Sequence, residues 1–213
     1  LQGKELVQIN IGEQRKGGGQ YVSIGGEYKA YLTDQPIMIH TDSHEWELKT
    51  LLNVDKTKVK SLAFFPADLS NGSVTLAREK AEDPLKIQGL AEPNKEKPSV
   101  AGADGIAVNL AFAKRHDKSN EEATAALTQP SKAFVTLLDG RSYEILVGSI
   151  GENPKKYFMK VNADQNTPGL DPKLKAEMEA LNALMATNSF EVPPFVAQRF
   201  EKGTNEFVEA PKG

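Results

Sequence analysis

One segment of this chain occurs twice. Leu6-Val7-Gln8-Ile9-Asn10-Ile11-Gly12-Glu13 leads through a basic, Gly-rich turn into Tyr21-Val22-Ser23-Ile24. Far downstream, Ile145-Leu146-Val147-Gly148-Ser149-Ile150-Gly151-Glu152 leads through a second basic turn into Tyr157-Phe158-Met159-Lys160-Val161. Both copies read as strand, Ile-Gly-Glu, basic turn, aromatic-led strand. A repeated supersecondary unit constrains how a chain is assembled, because each copy needs a neighbour to bury its apolar face. It carries no chemistry of its own.

The rest of the chain extends the β pattern and adds helices. Short β-rich runs at Tyr28–Leu32, Val59–Phe65, Val74–Leu76 and Leu85–Leu90 are separated by Gly- and Asn-containing turns. Residues 44–52 suit one or two helical turns, and a helix is expected from about residue 100 to Leu110, with a short one over 120–127. Ala133–Leu138 and Ser142–Ile150 flank Asp139-Gly140, a favoured hairpin turn, and Tyr157–Val161 adds a third strand. Asp171-Pro172 starts a helix by N-cap and first-turn proline, and Leu174, Met178, Leu181 and Met185 place one buried stripe on it. Phe190–Phe195 and Phe200 read as a final extended segment covering an open sheet edge. The expected fold is therefore α+β: antiparallel β-meanders packed against helices, with an internal repeat of an α+β unit. Prolines and charges at 91–99 suggest a boundary, dividing a β-rich lobe at 1–92 from an α+β lobe at 98–213.

Composition excludes several function classes. A net charge of −3 over 213 residues, with Lys and Glu interleaved, lacks the basic face that nucleic acid requires. The absence of cysteine removes disulfides, thiolate metal sites and a Cys nucleophile, and suits an oxidising compartment. No apolar run reaches the ~18 residues that span a bilayer. The sequence opens on Leu1-Gln2-Gly3-Lys4 without Met, so a signal or anchor segment upstream is expected to have been removed.

Four stretches together resemble a known family. They are Gly19-Gln20-Tyr21-Val22 running to Tyr31-Leu32; Trp46 leading to Leu51-Leu52-Asn53-Val54-Asp55; Lys58-Val59-Lys60-Ser61-Leu62 with Leu85-Lys86-Ile87-Gln88-Gly89-Leu90; and Phe134-Val135-Thr136-Leu137-Leu138-Asp139-Gly140 running into Val147-Gly148. In order and spacing they resemble the domain of unknown function 4340 family, and they cover most of the chain. The sequence departs from it at Asp83-Pro84-Leu85, where members often carry an aromatic. The resemblance implies an extracytoplasmic, periplasmic bacterial protein anchored by an N-terminal segment. It also implies a repeated α+β unit, with residues 1–39 as the tail of one copy, and genes beside gliding-motility-type ABC transporter components. It supplies no catalytic residues.

Candidate chemistry is sparse. His40, Asp42 and His44 bring two imidazoles and a carboxylate together, and on a helix the histidines would share a face open to a divalent ion. The HExxH pattern is absent, and an Asp and Ser before Trp46, capping the short helix at 44–52, explain the stretch more simply. His116, within Lys114-Arg115-His116-Asp117-Lys118, reads as surface. Gly148-Ser149-Ile150-Gly151 lacks the spacing and the strand-to-helix setting of a hydrolase elbow. Gly17-Gly18-Gly19 beside Arg15 and Lys16 reads as a hairpin, not a phosphate loop. Phe195 and Phe200, beside Pro193-Pro194, are candidates for a partner-binding surface.

No catalytic residue, cofactor or metal is therefore assigned. The expected function is a non-enzymatic extracytoplasmic interaction or scaffold domain. Its expected partner is a cell-envelope protein, such as an ABC transporter subunit, engaged through an exposed sheet edge. The alternative is an envelope-polymer or small-ligand binding or hydrolytic domain using carboxylates such as Asp42, Glu45 or Glu152.

Overall fold

Gly17, Gly18 and Gly19, at φ of 102°, 113° and 79°, reverse the chain between β1 (Ile9–Gln14) and β2 (Gln20–Ile24). Only glycine adopts such angles without steric cost. β3 (Ala30–Leu32) completes a three-stranded antiparallel meander in the order β1-β2-β3. Ile9 pairs with Ile24, Ile11 with Val22, and Val22 with Tyr31. Residues directly opposite share a face, so Ile9, Ile11, Val22, Ile24 and Tyr31 gather on one face of the meander. Within residues 7–37 only Gly19 is buried.

The computed structural model describes residues 7–37, 50–92, 94–106, 108–117 and 120–209. The chain divides into two compact units, Leu1–Trp46 and Glu47–Gly213. The second contains β4 (Leu52–Asn53), β5 (Val59–Phe65), β6 (Val74–Ala77), β7 (Lys86–Ile87), β8 (Lys95–Glu96), β9 (Asn109–Leu110) and β10 (Lys114–Asp117). After helix α1 (Glu121–Ala126) follow β11 (Ser131–Leu137), β12 (Ser142–Ile150) and β13 (Lys156–Asp164). Helix α2 (Pro172–Thr187), β14 (Asn188–Val192), helices α3 (Pro194–Ala197) and α4 (Thr204–Phe207) and β15 (Val208–Glu209) complete it.

Eight strands form one antiparallel sheet in the order β10-β14-β13-β12-β11-β5-β6-β7. The period-2 pattern of β11 and β12 sends alternate residues to the core. Leu62 faces Val135 across β5 and β11, Val135 faces Tyr143, and Ile145 faces Val161. All five are buried. Helix α2 covers this inner face with Met178 and Met185, each buried. Full burial of such a side chain stabilises by roughly 1.5–3 kcal/mol. Its partly exposed Asn182 closes two 2.8 Å hydrogen bonds with the Ala163 backbone N–H and C=O, pinning α2 to β13. Phe207 stacks on Phe64 at 5.6 Å, and β15 pairs with β8, so the C-terminal segment seals the same core.

The opposite face is covered at one end by α1. Ala123 and Ala126 bury Phe158 there, with Leu127 and Ile150 packed alongside. Gly148 makes this docking possible, because a Cβ at that position would run into the Ala126 carbonyl.

The fold is α+β, with every strand pairing antiparallel. Several boundaries differ from the sequence expectation. The stretch 91–99 does not separate two lobes: β5–β7 lie before it and β10–β14 after it, yet all share one sheet. Strand pairing, not local composition, decides the division. The helix expected up to Leu110 is a 3-10 turn at Pro98–Gly105, after which Asn109–Leu110 pairs with β4. The strand expected at 85–90 shortens to Lys86–Ile87. The segment after α2 does not cap an edge. β14 is inserted between β13 and β10, and β10 becomes the edge. The hairpin at Asp139-Gly140 forms with a three-residue loop, in which Gly140 donates to the Leu137 carbonyl at 3.1 Å and sits at φ 90°.

The two Ile-Gly-Glu stretches each sit in an antiparallel hairpin but in different places. Gly12 lies within β1 against Tyr21, whereas Gly151 lies beyond β12 at φ 77°. Aligned on Ile-Gly-Glu, the strand partners also differ: Asn10 pairs with Ser23, whereas Ser149 pairs with Tyr157.

Candidate functional site

Ala113 is buried and fixes the chain between β9 and β10. Its predecessor, Phe112, is turned outward: it is 63% exposed and has φ 65°. Among the described residues it is the one non-glycine with positive φ. A bulky side chain in that region is an outlier. Pro193 and Pro194 then set the start of α3, whose Val196 and Ala197 are buried while Phe195 stays 51% exposed. The Phe112 and Phe195 rings meet edge to face, with centroids 5.7 Å apart at 69°. The guanidinium of Arg199 lies 5.9 Å from the centre of the Phe195 ring, within cation–π range. Two aromatic rings and one arginine thus form a fixed, solvent-facing cluster. Such a cluster has no group for acid–base or nucleophilic chemistry. It can anchor apolar side chains of a partner and pair a carboxylate beside them.

Phe195 is exposed, as expected of a partner surface, whereas Phe200 is fully buried. The five-residue step from one to the other turns through α3 and a 3-10 turn at Gln198–Phe200. At about 100° per residue that separation places the two rings on widely different sides. Phe200 is therefore a core residue. Phe112 has no signal of a partner surface in the sequence around it. Its outward turn depends on left-handed backbone that no glycine or asparagine announces.

His40, Asp42 and His44 lie outside the described residues, as do Glu45 and most of the helix expected at 44–52; its end, at residues 50–52, is not helical and runs into β4. No group of three or more His, Cys, Asp or Glu side chains placed to hold a metal occurs among the described residues. Glu152 is exposed in the turn between β12 and β13. His116 is half-buried: Nε2 lies 3.0 Å from Glu191 Oε2, and the ring meets Phe158 edge to face at 6.1 Å. Ser149 is half-buried within β12.

Comparison with family models, curated proteins and solved structures found no match to this chain.

The edges of the eight-stranded sheet speak against strand addition there. β7 has two residues and β10 is Lys114-Arg115-His116-Asp117. Very short and charged edges are how sheets resist pairing with other chains. No helix among the described residues is long and apolar enough to cross a membrane.

Proposed function

We propose that this chain is a non-enzymatic binding module whose partner is a protein of the cell envelope, engaged through Phe112, Phe195 and Arg199. One observation carries the reading: an exposed phenylalanine is held in left-handed backbone at φ 65°. For a residue with a Cβ that conformation costs roughly 1–2 kcal/mol. Strain of this kind concentrates at ligand clamps and binding segments. The exposed Phe195 beside it adds a second anchor.

The resemblance to the domain of unknown function 4340 family adds the setting. On that reading the protein is extracytoplasmic and periplasmic, held at the membrane by an N-terminal segment, and accessory to an ABC-type transporter or surface assembly. The internal repeat enters only as a shared order of strand, Ile-Gly-Glu, turn and aromatic strand, since the two registers differ.

Affinity recovery of the full-length protein from its native membrane tests the proposal. Transporter subunits are expected among the recovered proteins, and Phe112→Gly or Phe195→Ser is expected to release them. Recovery of no envelope protein, or recovery indifferent to both substitutions, sinks the reading.

A further inference from the structure

The outer face of the sheet, beyond the part covered by α1, is an ordered array of side chains. Strand register puts Ala63, Phe134, Glu144 and Asn162 directly opposite one another in one row. The next row is Ser61, Thr136, Ser142 and Asp164. Phe134 is 43% exposed, and Phe65, itself 42% exposed, meets it edge to face at 5.7 Å and 85°. Phe65 thereby supports the Phe134 ring from one side, and much of Phe134 stays open to solvent. Glu144 Oε2 accepts a 2.9 Å hydrogen bond from Asn162 Nδ2, which orients the amide and leaves the carboxylate its other oxygen. A depression of about 410 Å³ lies over Phe134, Thr136, Ser142, Glu144, Asn162 and Asp164.

We propose that this face is a binding site for a neutral oligosaccharide of glucose-type pyranoses. A pyranose with equatorial hydroxyls has apolar C–H faces and a polar rim. It needs an aromatic surface beneath the ring and, at its edge, acceptors and donors spaced for adjacent hydroxyls. Phe134 supplies the first. Glu144, Asn162, Asp164, Thr136 and Ser142 supply the second, in rows set by strand spacings of about 4.8 Å. Small Ala63 and Ser61 leave the space beside Phe134 open. The two carboxylates disfavour phosphorylated or polyanionic ligands, since like charges repel. The neighbouring row, Phe65, Lys132, Leu146 and Lys160 in order across the strands, adds no acceptors. The site is separate from the Phe112–Phe195 cluster and does not depend on the function proposed for it.

Titration calorimetry of the full chain with cellopentaose, chitopentaose and laminaripentaose tests the proposal. Saturable binding of at least one is expected, with a dissociation constant on the order of 1 mM or tighter. Phe134→Ala and Glu144→Gln should each weaken it by about tenfold, the scale of one lost stacking or charged hydrogen-bond contact. Phe134→Leu keeps apolar surface but removes the flat ring, so it should weaken binding like Phe134→Ala. Both positions are solvent-facing, and an unchanged thermal midpoint verifies that the variants fold. Absence of heat from all three sugars overturns the proposal. So does binding that Phe134→Ala and Glu144→Gln leave intact.

Discussion

The Arg78 guanidinium lies 3.4 Å from the Asp104 carboxylate, and the two side chains are only 6% and 11% exposed. Arg78 also donates to the backbone carbonyls of Val59 at 2.6 Å and Lys56 at 2.5 Å. One cation therefore ties β5, the turn preceding it and the 3-10 turn at Pro98–Gly105 together. Asp104 Oδ1 is buried without a hydrogen-bond partner, which makes the acid depend on Arg78. Arg78→Met should cost roughly 3–5 kcal/mol, because it strands a buried charge. The double variant Arg78→Met/Asp104→Leu should recover most of that loss. Urea unfolding of both variants measures it, and a single-variant loss below about 1 kcal/mol would show the clamp to be incidental.

Gly148 marks where α1 touches β12. Adding a methyl there must push the Ala126 carbonyl away and open the small cluster around Phe158. Gly148→Ala is expected to destabilise by about 1–3 kcal/mol, the usual range for overpacking. Amide exchange should rise in residues 121–126 first. A neutral effect would mean that α1 is not docked as described.

Phe112 offers a test of strain. Phe112→Gly relieves the left-handed conformation but loosens the unfolded chain and gives up one ring contact, so stability should change by no more than about 1 kcal/mol. Phe112→Ala loses the ring and keeps the strain, so it should be the less stable variant. Thermal unfolding ranks the two, and alanine equal to or above glycine would exclude a left-handed residue at this position.

Asp139 gives a pH dependence of defined sign. The hydrogen bond from the Arg141 side chain is the main cause holding its carboxyl below the usual range, and the Nη2 to Oδ2 distance is 2.8 Å. A depressed acid stabilises the folded chain above its unfolded value near ~3.9 and loses that contribution as pH falls through the lower folded value. The stability gap between wild type and Asp139→Asn should therefore be present near about pH 7 and close towards about pH 2. Denaturant titrations at both ends measure it. A gap that persists in acid would trace the effect to turn geometry alone.

Local signals in the sequence translated well. Asp171 accepts from the Lys173 N–H at 2.8 Å with Pro172 in the first turn, and the helix stops at Thr187 as its apolar stripe implies. The β11–β12–β13 meander was legible because each strand alternates and each connection is short. Non-local relations were not. β14 sits between β13 and a strand formed some seventy residues earlier, and no local pattern encodes that insertion. Arg78 and Asp104 each look like ordinary surface charges until packing joins them. At the aromatic cluster, Phe195 stood out because prolines precede it. Phe112 did not, since its exposure comes from backbone geometry that its neighbours impose.

The insertion of β14 also has a kinetic side. During synthesis from the N-terminus, β10 emerges long before β14, the strand it pairs with, and β8 waits longer still for β15. Closing such long loops is slow, so the nascent chain carries unpaired strands and an open core until its final segments arrive. Premature termination just after α2 would leave a species with its two longest α-helices but no finished sheet, a natural substrate for chaperones and proteases.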